Sequence, residues 1–201
     1  MLTIALPKGR IAEQTLEKFE KVFEEKFVFE DRKLILKKAG FTFLNVRNQD
    51  VPTYVMYGAA DLGVVGLDVL EEKGYDLVKL LDLQIGQCRV AIGLKAGESI
   101  DWTRSEITVA TKHEKIAKRF FEQKAMAVNI VKLYGSIELA PLVGLSDCIV
   151  DIVETGETMK QNGLEVGQTI MQSSVYLVSN KNAYYGKKEQ ILTLREKLAT
   201  T

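Results

Sequence analysis

The chain has 201 residues, with 27 Lys and Arg against 27 Asp and Glu, and 46% of it is hydrophobic. That supplies a core for one large domain or two α/β lobes of about 100 residues each, and zero net charge argues against the basic surplus of a nucleic-acid clamp. Apolar runs fall short of the roughly 20 residues that a membrane span needs, while two cysteines and one histidine poorly supply a disulfide framework, a zinc site or a His-based triad.

The opening MLTIALPKGR places its apolar residues before its positive ones and lacks a small-residue cleavage site, so it does not read as a signal peptide, and a cytoplasmic chain is expected. Leu2 to Leu6 read as a short strand that turns out through Pro7-Lys8-Gly9-Arg10. Ile11, Leu16, Phe19 and Phe23 then recur at helical spacing. Leu34-Ile35-Leu36 and Phe41 to Val46 predict a hairpin. Asp50-Val51-Pro52 suits a helix start, with Asp50 as N-cap and a stop at Gly58. Strands are expected at Asp61 to Gly66 and Leu77 to Leu83, with a helix from Leu67 to Lys73 between them.

From Cys88 the pattern restarts. Strands are predicted at Arg89 to Leu94, Ile107 to Ala110, Val128 to Leu133 and Cys148 to Val153. Helices are predicted at His113 to Lys124, Ile137 to Leu145 and Thr158 to Asn162. Thr169 to Ser179 reads as one long final strand, and Gly186 to Ala199 as a terminal helix. Alternation of this kind implies mainly parallel sheets with right-handed crossovers. Long strands passing between two lobes make the first one discontinuous: lobe I is expected over 1–88 plus 176–201, and lobe II over 89–175.

The most informative segment is Asp151-Ile152-Val153-Glu154-Thr155-Gly156-Glu157-Thr158, a buried strand that ends in acidic residues and runs into a Thr-Gly-x-Thr turn. Amides and hydroxyls in such a turn make a phosphate cradle, and Gly156 lets the main chain approach an anion. Asp151 and Glu154 are placed to accept hydrogen bonds from ribose hydroxyls. A capped helix accounts for the tetrapeptide alone; with the strand and the acid pair attached, ligand binding is favoured. Lys8-Gly9-Arg10 follows a strand end, where open α/β sheets bind ligands, and two cations suit a polyphosphate, although a solvated basic loop is the plainer reading. Arg32 reads as a surface residue or an anion contact, Arg47 and Asp50 as a capping pair. His113, among Lys112, Glu114 and Lys115, reads as exposed rather than catalytic; Trp102 and Phe120/Phe121 read as packing, and Cys88 and Cys148 as apolar fillers.

Taken together, these residues resemble the ATP phosphoribosyltransferase family, the enzymes of the first step of histidine biosynthesis, in its short form. The resemblance runs through Ala5-Leu6-Pro7-Lys8-Gly9-Arg10, Arg32-Lys33-Leu34, Asp50 to Val55, Gly58 to Gly63, Gln87-Cys88-Arg89, Ala110-Thr111-Lys112, Lys132 to Leu145 and Asp151 to Thr158. It implies two α/β lobes of the type II periplasmic-binding-protein kind with the active site in the cleft, and transfer of phosphoribose from phosphoribosyl pyrophosphate to ATP with Mg²⁺, held mainly by substrate phosphates. It assigns phosphoribosyl pyrophosphate to Asp151, Glu154, Thr155, Gly156, Glu157 and Thr158, ATP to Lys8, Gly9 and Arg10, and catalysis to Arg10 and Arg32. Two positions depart from the family: Asp31 stands where members often carry Ser, and His113 where they commonly carry an aromatic. The resemblance also implies a homodimer that joins a regulatory subunit similar to histidyl-tRNA synthetase in a hetero-octamer, with histidine feedback acting through that partner and no nucleic acid or membrane involved. A non-catalytic solute-binding module and a retired regulatory subunit are the competing classes; the intact Lys8, Arg10, Asp151 and Thr-Gly-x-Thr loop weigh against the second.

Overall fold

The computed structural model describes residues 1–30 and 32–200; Asp31 therefore lies outside the described residues. The chain runs through β1 (Leu2–Pro7), α1 (Arg10–Phe23), β2 (Ile35–Lys38), β3 (Phe41–Val46), α2 (Val51–Met56), β4 (Leu62–Gly66), α3 (Leu67–Lys73) and β5 (Val78–Asp82). It continues with β6 (Cys88–Lys95), β7 (Glu106–Thr111), α4 (Glu114–Glu122), β8 (Ala127–Lys132), α5 (Leu139–Leu142), β9 (Cys148–Val153) and α6 (Glu157–Gln161). The last elements are β10 (Leu164–Ser173), β11 (Val175–Ser179), α7 (Lys181–Gly186) and α8 (Lys188–Ala199). They form two compact units, Met1–Gly86 together with the segment from Ser174 onward, and Gln87–Ser173.

In the first unit the strand order is β2-β3-β1-β4-β11-β5. β1 pairs in parallel with β3 and β4, while β2 and β11 are antiparallel to their neighbours. Ile4, Ala5 and Leu6 are wholly buried, as a central strand covered on both faces requires. Phe19 of α1 anchors one face, with its ring centroid 5.1 Å from Phe43 and 5.9 Å from Phe27. In the second unit the order is β10-β6-β9-β7-β8, with β7 parallel to β8 and β9, and with β6 antiparallel to β9 and β10. Ile92, Val109, Cys148 and Val150 are fully buried beneath α4, which contributes Ile116 and Phe121. Among the described residues no helix is long and apolar enough to cross a membrane.

Several element readings change. The expected strand from Thr169 to Ser179 is two strands in different sheets: β10 pairs with β6, whereas β11 pairs with β4 and β5. Ser174, between them, gives its carbonyl to the Leu67 amide instead of to a ladder. A run of strand-forming residues does not record a change of partner. The expected helix from Ile137 to Leu145 contracts to Leu139–Leu142, because Ser136 lies at φ 50° and Gly144 at φ 74°, both outside helical backbone. The terminal helix expected from Gly186 to Ala199 runs from Lys188 to Ala199, and a further short helix, Lys181–Gly186, precedes it, set off by Lys187 at φ −128°. Asp50 is the last residue of a 3₁₀ turn (Asn48–Asp50) and makes no side-chain cap bond, so α2 starts without the predicted cap. Both sheets are mixed: antiparallel strands supply both edges of the first, whereas the second has antiparallel β10 at one edge and β8, parallel to β7, at the other.

Candidate functional site

Within the second unit, three parallel strands end on the same side, and the loops that leave them carry the polar groups. Val109, Ala110 and Thr111 of β7 pair with Cys148, Ile149 and Val150 of β9, so the chain after Thr111 emerges beside Asp151. The Thr111 hydroxyl, fully buried, donates to the Val150 carbonyl at 2.6 Å and accepts from the His113 amide at 2.8 Å. Asp151 keeps 15% of its side chain exposed and receives Lys112 Nζ at 3.1 Å and the Ile152 amide at 2.8 Å on Oδ1, with His113 Nε2 3.9 Å from the same oxygen. His113 is fully buried, which corrects the expectation of an exposed side chain. Its charged neighbours in sequence suggest a solvated turn; the Thr111 lock instead draws the backbone inward and places the ring under Asp151.

Beyond Val153 the chain becomes exposed at Glu154 and Thr155, turns at Gly156 and enters α6. Gly156 sits at φ 86° and ψ 0°, a left-handed conformation that side chains disfavour. A Cβ there lies 3.0 Å from Val166 Cγ2, so this turn has little room for any other residue. Thr155 Oγ1 accepts from the Glu157 amide at 3.3 Å, which leaves its hydroxyl proton to donate. Glu157 accepts from Gln161 Nε2 at 3.2 Å, and Thr158 is exposed on the first turn. β8 ends at the same side with Lys132, whose Nζ meets Glu114 Oε1 at 2.5 Å, and this hydrogen bond and charge hold the ammonium above the usual lysine range. At the start of β9, buried Cys148 is inert, its thiol pushed up to about 12 by burial and then by the Asp147 charge.

The first unit has a corresponding sheet end. Lys8, Gly9 and Arg10 leave β1, and the Lys8 amide donates to Val46 O at 2.8 Å, which joins this turn to the end of β3. Gly9 adopts φ 94° and ψ −152°, a region in effect open to glycine alone, and frees the backbone to enter α1 directly. β2 runs antiparallel to β3 with Ile35 opposite Leu44, and the Asn45 amide bonds to Leu34 O. The segment carrying exposed Arg32 therefore enters the sheet at the end where Lys8 and Arg10 emerge. A cavity of about 380 Å³ opens beside this turn, lined by Gly9, Glu13, Phe27 and Asn45 among others.

The structure thus groups the sequence-derived candidates into two sets, Lys8, Gly9, Arg10 and Arg32 in one unit and Asp151 with Glu154–Thr158 in the other. Lys112, which reaches Asp151, is absent from the expected site. Its signal was topological: only the parallel pairing of β7 with β9 brings residue 112 to residue 151. Among the described residues no group of three or more His, Cys, Asp or Glu side chains is arranged to hold a metal ion.

The sequence profile described as HisG: ATP phosphoribosyltransferase matches residues 47–200. ATP phosphoribosyltransferases from Sulfurovum sp. (strain NBC37-1) and Wolinella succinogenes are 65% and 61% identical to this chain, over 98% and 99% of it and 96% and 97% of their own lengths. Among solved structures, a chain of the ATP phosphoribosyl transferase (HisG:HisZ) complex from Thermotoga maritima matches with a TM-score of 0.87 and 36% identity, over 100% of this chain and 98% of that one. The periplasmic aliphatic sulphonate binding protein SsuA from Escherichia coli matches with a TM-score of 0.62 and 14% identity, over 99% of this chain and 71% of that one, which is a likeness of fold.

Proposed function

This chain belongs to the ATP phosphoribosyltransferase family, and we propose that its two strand-end clusters divide the substrates between them. The reaction is pentosyl transfer at the first step of histidine biosynthesis: ATP and phosphoribosyl pyrophosphate give phosphoribosyl-ATP and pyrophosphate. In our reading the loop from Glu154 to Thr158 takes the 5′-phosphate of the sugar, Asp151 and Glu154 take its hydroxyls, and Lys8, Gly9 and Arg10 take ATP. Arg10 and Arg32 take the departing pyrophosphate. The observation that carries this assignment is the Gly156 turn, which follows β9, the strand that carries Asp151, and has Thr155 and Thr158 exposed on either side of it.

The bond that forms joins adenine N1 to the anomeric carbon, and the bond that breaks releases pyrophosphate from it. N1 carries a lone pair near neutral pH, so attack needs no strong base, in keeping with a buried His113 held under a carboxylate. Positive charge builds on the ribose and negative charge on the leaving group. Carboxylates at the sugar and guanidinium groups at the pyrophosphate oppose that separation, and one such donor is typically worth about 3–4 kcal/mol. The described residues offer no ready chelate, so we derive no step through a protein-held metal. Mg²⁺ bound with the substrates would supply positive charge that eases the departure of pyrophosphate.

We further propose a homodimer that works with a HisZ-type regulatory subunit resembling histidyl-tRNA synthetase, assembled as a hetero-octamer in which histidine acts through the partner. Support for the partner comes from the Thermotoga maritima HisG:HisZ complex, one chain of which this chain matches over its whole length. Incubation with ATP, phosphoribosyl pyrophosphate and Mg²⁺, alone and with such a partner, tests both parts. Phosphoribosyl-ATP detected by mass is the expected product. Binding of either substrate with no adduct under both conditions contradicts the transferase reading and favours a solute-binding module.

A further inference from the structure

We propose that Lys112 is a positioning residue for Asp151, held in place by the buried Thr111 hydroxyl and the fully buried His113. This rests on the reading of Asp151 as a ribose ligand and adds how that carboxylate is aimed.

Three observations converge. Thr111 bonds both to the Val150 carbonyl and to the His113 amide, so the segment 111–113 is fastened to the strand residue just before Asp151. Lys112 Nζ lies 3.1 Å from Asp151 Oδ1, with the lysine side chain 34% exposed and that of Asp151 only 15%. The Ile152 amide and His113 Nε2 approach the same oxygen, at 2.8 and 3.9 Å. A carboxylate held on one oxygen by a cation and an amide, with a buried ring packed nearby, has little freedom about its last torsion. None of these contacts is on Oδ2, which on this reading takes a hydrogen-bond donor of the ligand. The cation also neutralises Asp151 locally, so that an anionic sugar phosphate meets a carboxylate whose repulsion is already offset. The ligand class is a sugar phosphate with a free vicinal diol, and Lys112 acts on it through Asp151.

The experiment is a double-mutant cycle read by calorimetric titration with phosphoribosyl pyrophosphate and by steady-state kinetics. Lys112→Met is expected to raise the KM for phosphoribosyl pyrophosphate about tenfold while moving kcat and the KM for ATP little. Lys112→Arg keeps the cation and is expected to recover most of that loss. In the Asp151→Asn background Lys112→Met is expected to add less than about twofold, since the group it positions is gone. Full additivity there means that Lys112 touches the substrate directly, and overturns the positioning role. An unaltered KM in Lys112→Met with a weakened Asp151→Asn overturns it also, while leaving the ribose assignment standing. An unaltered affinity in Asp151→Asn instead removes the underlying reading. Lys112→Gln is the second variant should Lys112→Met fold poorly, with thermal melting as the check, and the same outcomes apply to it.

Discussion

Gly156 shows how much one residue carries. Its positive φ disfavours any side chain, and the Val166 methyl at 3.0 Å removes the space for one. Gly156→Ala is expected to cost about 1–2 kcal/mol of stability in urea unfolding, and to weaken phosphoribosyl pyrophosphate as the turn rearranges. Gly135, where nothing lies within 4 Å of an added Cβ, is the control: Gly135→Ala is expected to unfold within about 0.5 kcal/mol of the parent. Arg32 is exposed, so its removal leaves the fold intact. Arg32→Ala is expected to lower kcat by about two to three orders of magnitude, with a smaller effect on the affinity for phosphoribosyl pyrophosphate. Single-turnover kinetics in which binding falls and the chemical step does not would take Arg32 out of the leaving-group role.

Among the elements, β9 joins stability to the site. Its entry is tied by Asp147, which receives Arg104 Nη1 at 2.9 Å and the Thr108 amide at 2.7 Å. Burial pushes the Asp147 carboxyl up, but the Arg104 and Thr108 hydrogen bonds and the Arg104 charge outweigh it and hold it below the usual range. A depressed folded value contributes stability above the ordinary carboxylate pKa and loses it as pH falls through the folded one. The gap in stability between the parent and Arg104→Ala is therefore expected to be small but open near neutral pH, since so exposed a pair is screened by solvent, and to close at acid pH in denaturant titrations. Cys148 has the opposite sign. Its thiol is held up at about 12 when folded, against 9.0 for the ordinary group. Its stabilisation is thus complete below pH 9 and declines above it, by about 1.4 kcal/mol per pH unit within that window. Cys148→Ala is expected to flatten the alkaline limb of the stability curve, and a thiol reagent is expected to label Cys148 only on unfolding.

The same elements show what was legible in the sequence. β1, β3, β9 and α1 could be read directly because burial on a regular period is a local signal. β10 and β11 merged in the reading because a change of sheet leaves no mark in a run of strand formers. α5 was overextended because its stops lie in backbone angles at Ser136 and Gly144, not in its apolar pattern. Of the candidate site, the loop from Glu154 to Thr158 was legible from its own chemistry. Lys112 and the burial of His113 were not, because both depend on β7 lying next to β9, 39 residues apart in the chain at Thr111 and Val150.

For the whole molecule, two mixed sheets each present their charged loops at the ends of parallel strands, the place where open α/β sheets bind ligands. One unit offers cations at Lys8, Arg10 and Arg32, and the other offers hydroxyls, amides and carboxylates around Gly156. That division suits a reaction that separates a sugar cation from a pyrophosphate anion. The claim on which this account depends is that the turn after β9 holds the sugar phosphate. Calorimetric titration of Thr158→Ala with phosphoribosyl pyrophosphate, beside a titration with ATP, tests it most directly. We expect the affinity for phosphoribosyl pyrophosphate to fall about tenfold, the typical loss of one hydrogen bond to a charged group, with ATP binding unchanged. Equal affinity for phosphoribosyl pyrophosphate in the parent and in Thr158→Ala would contradict the account.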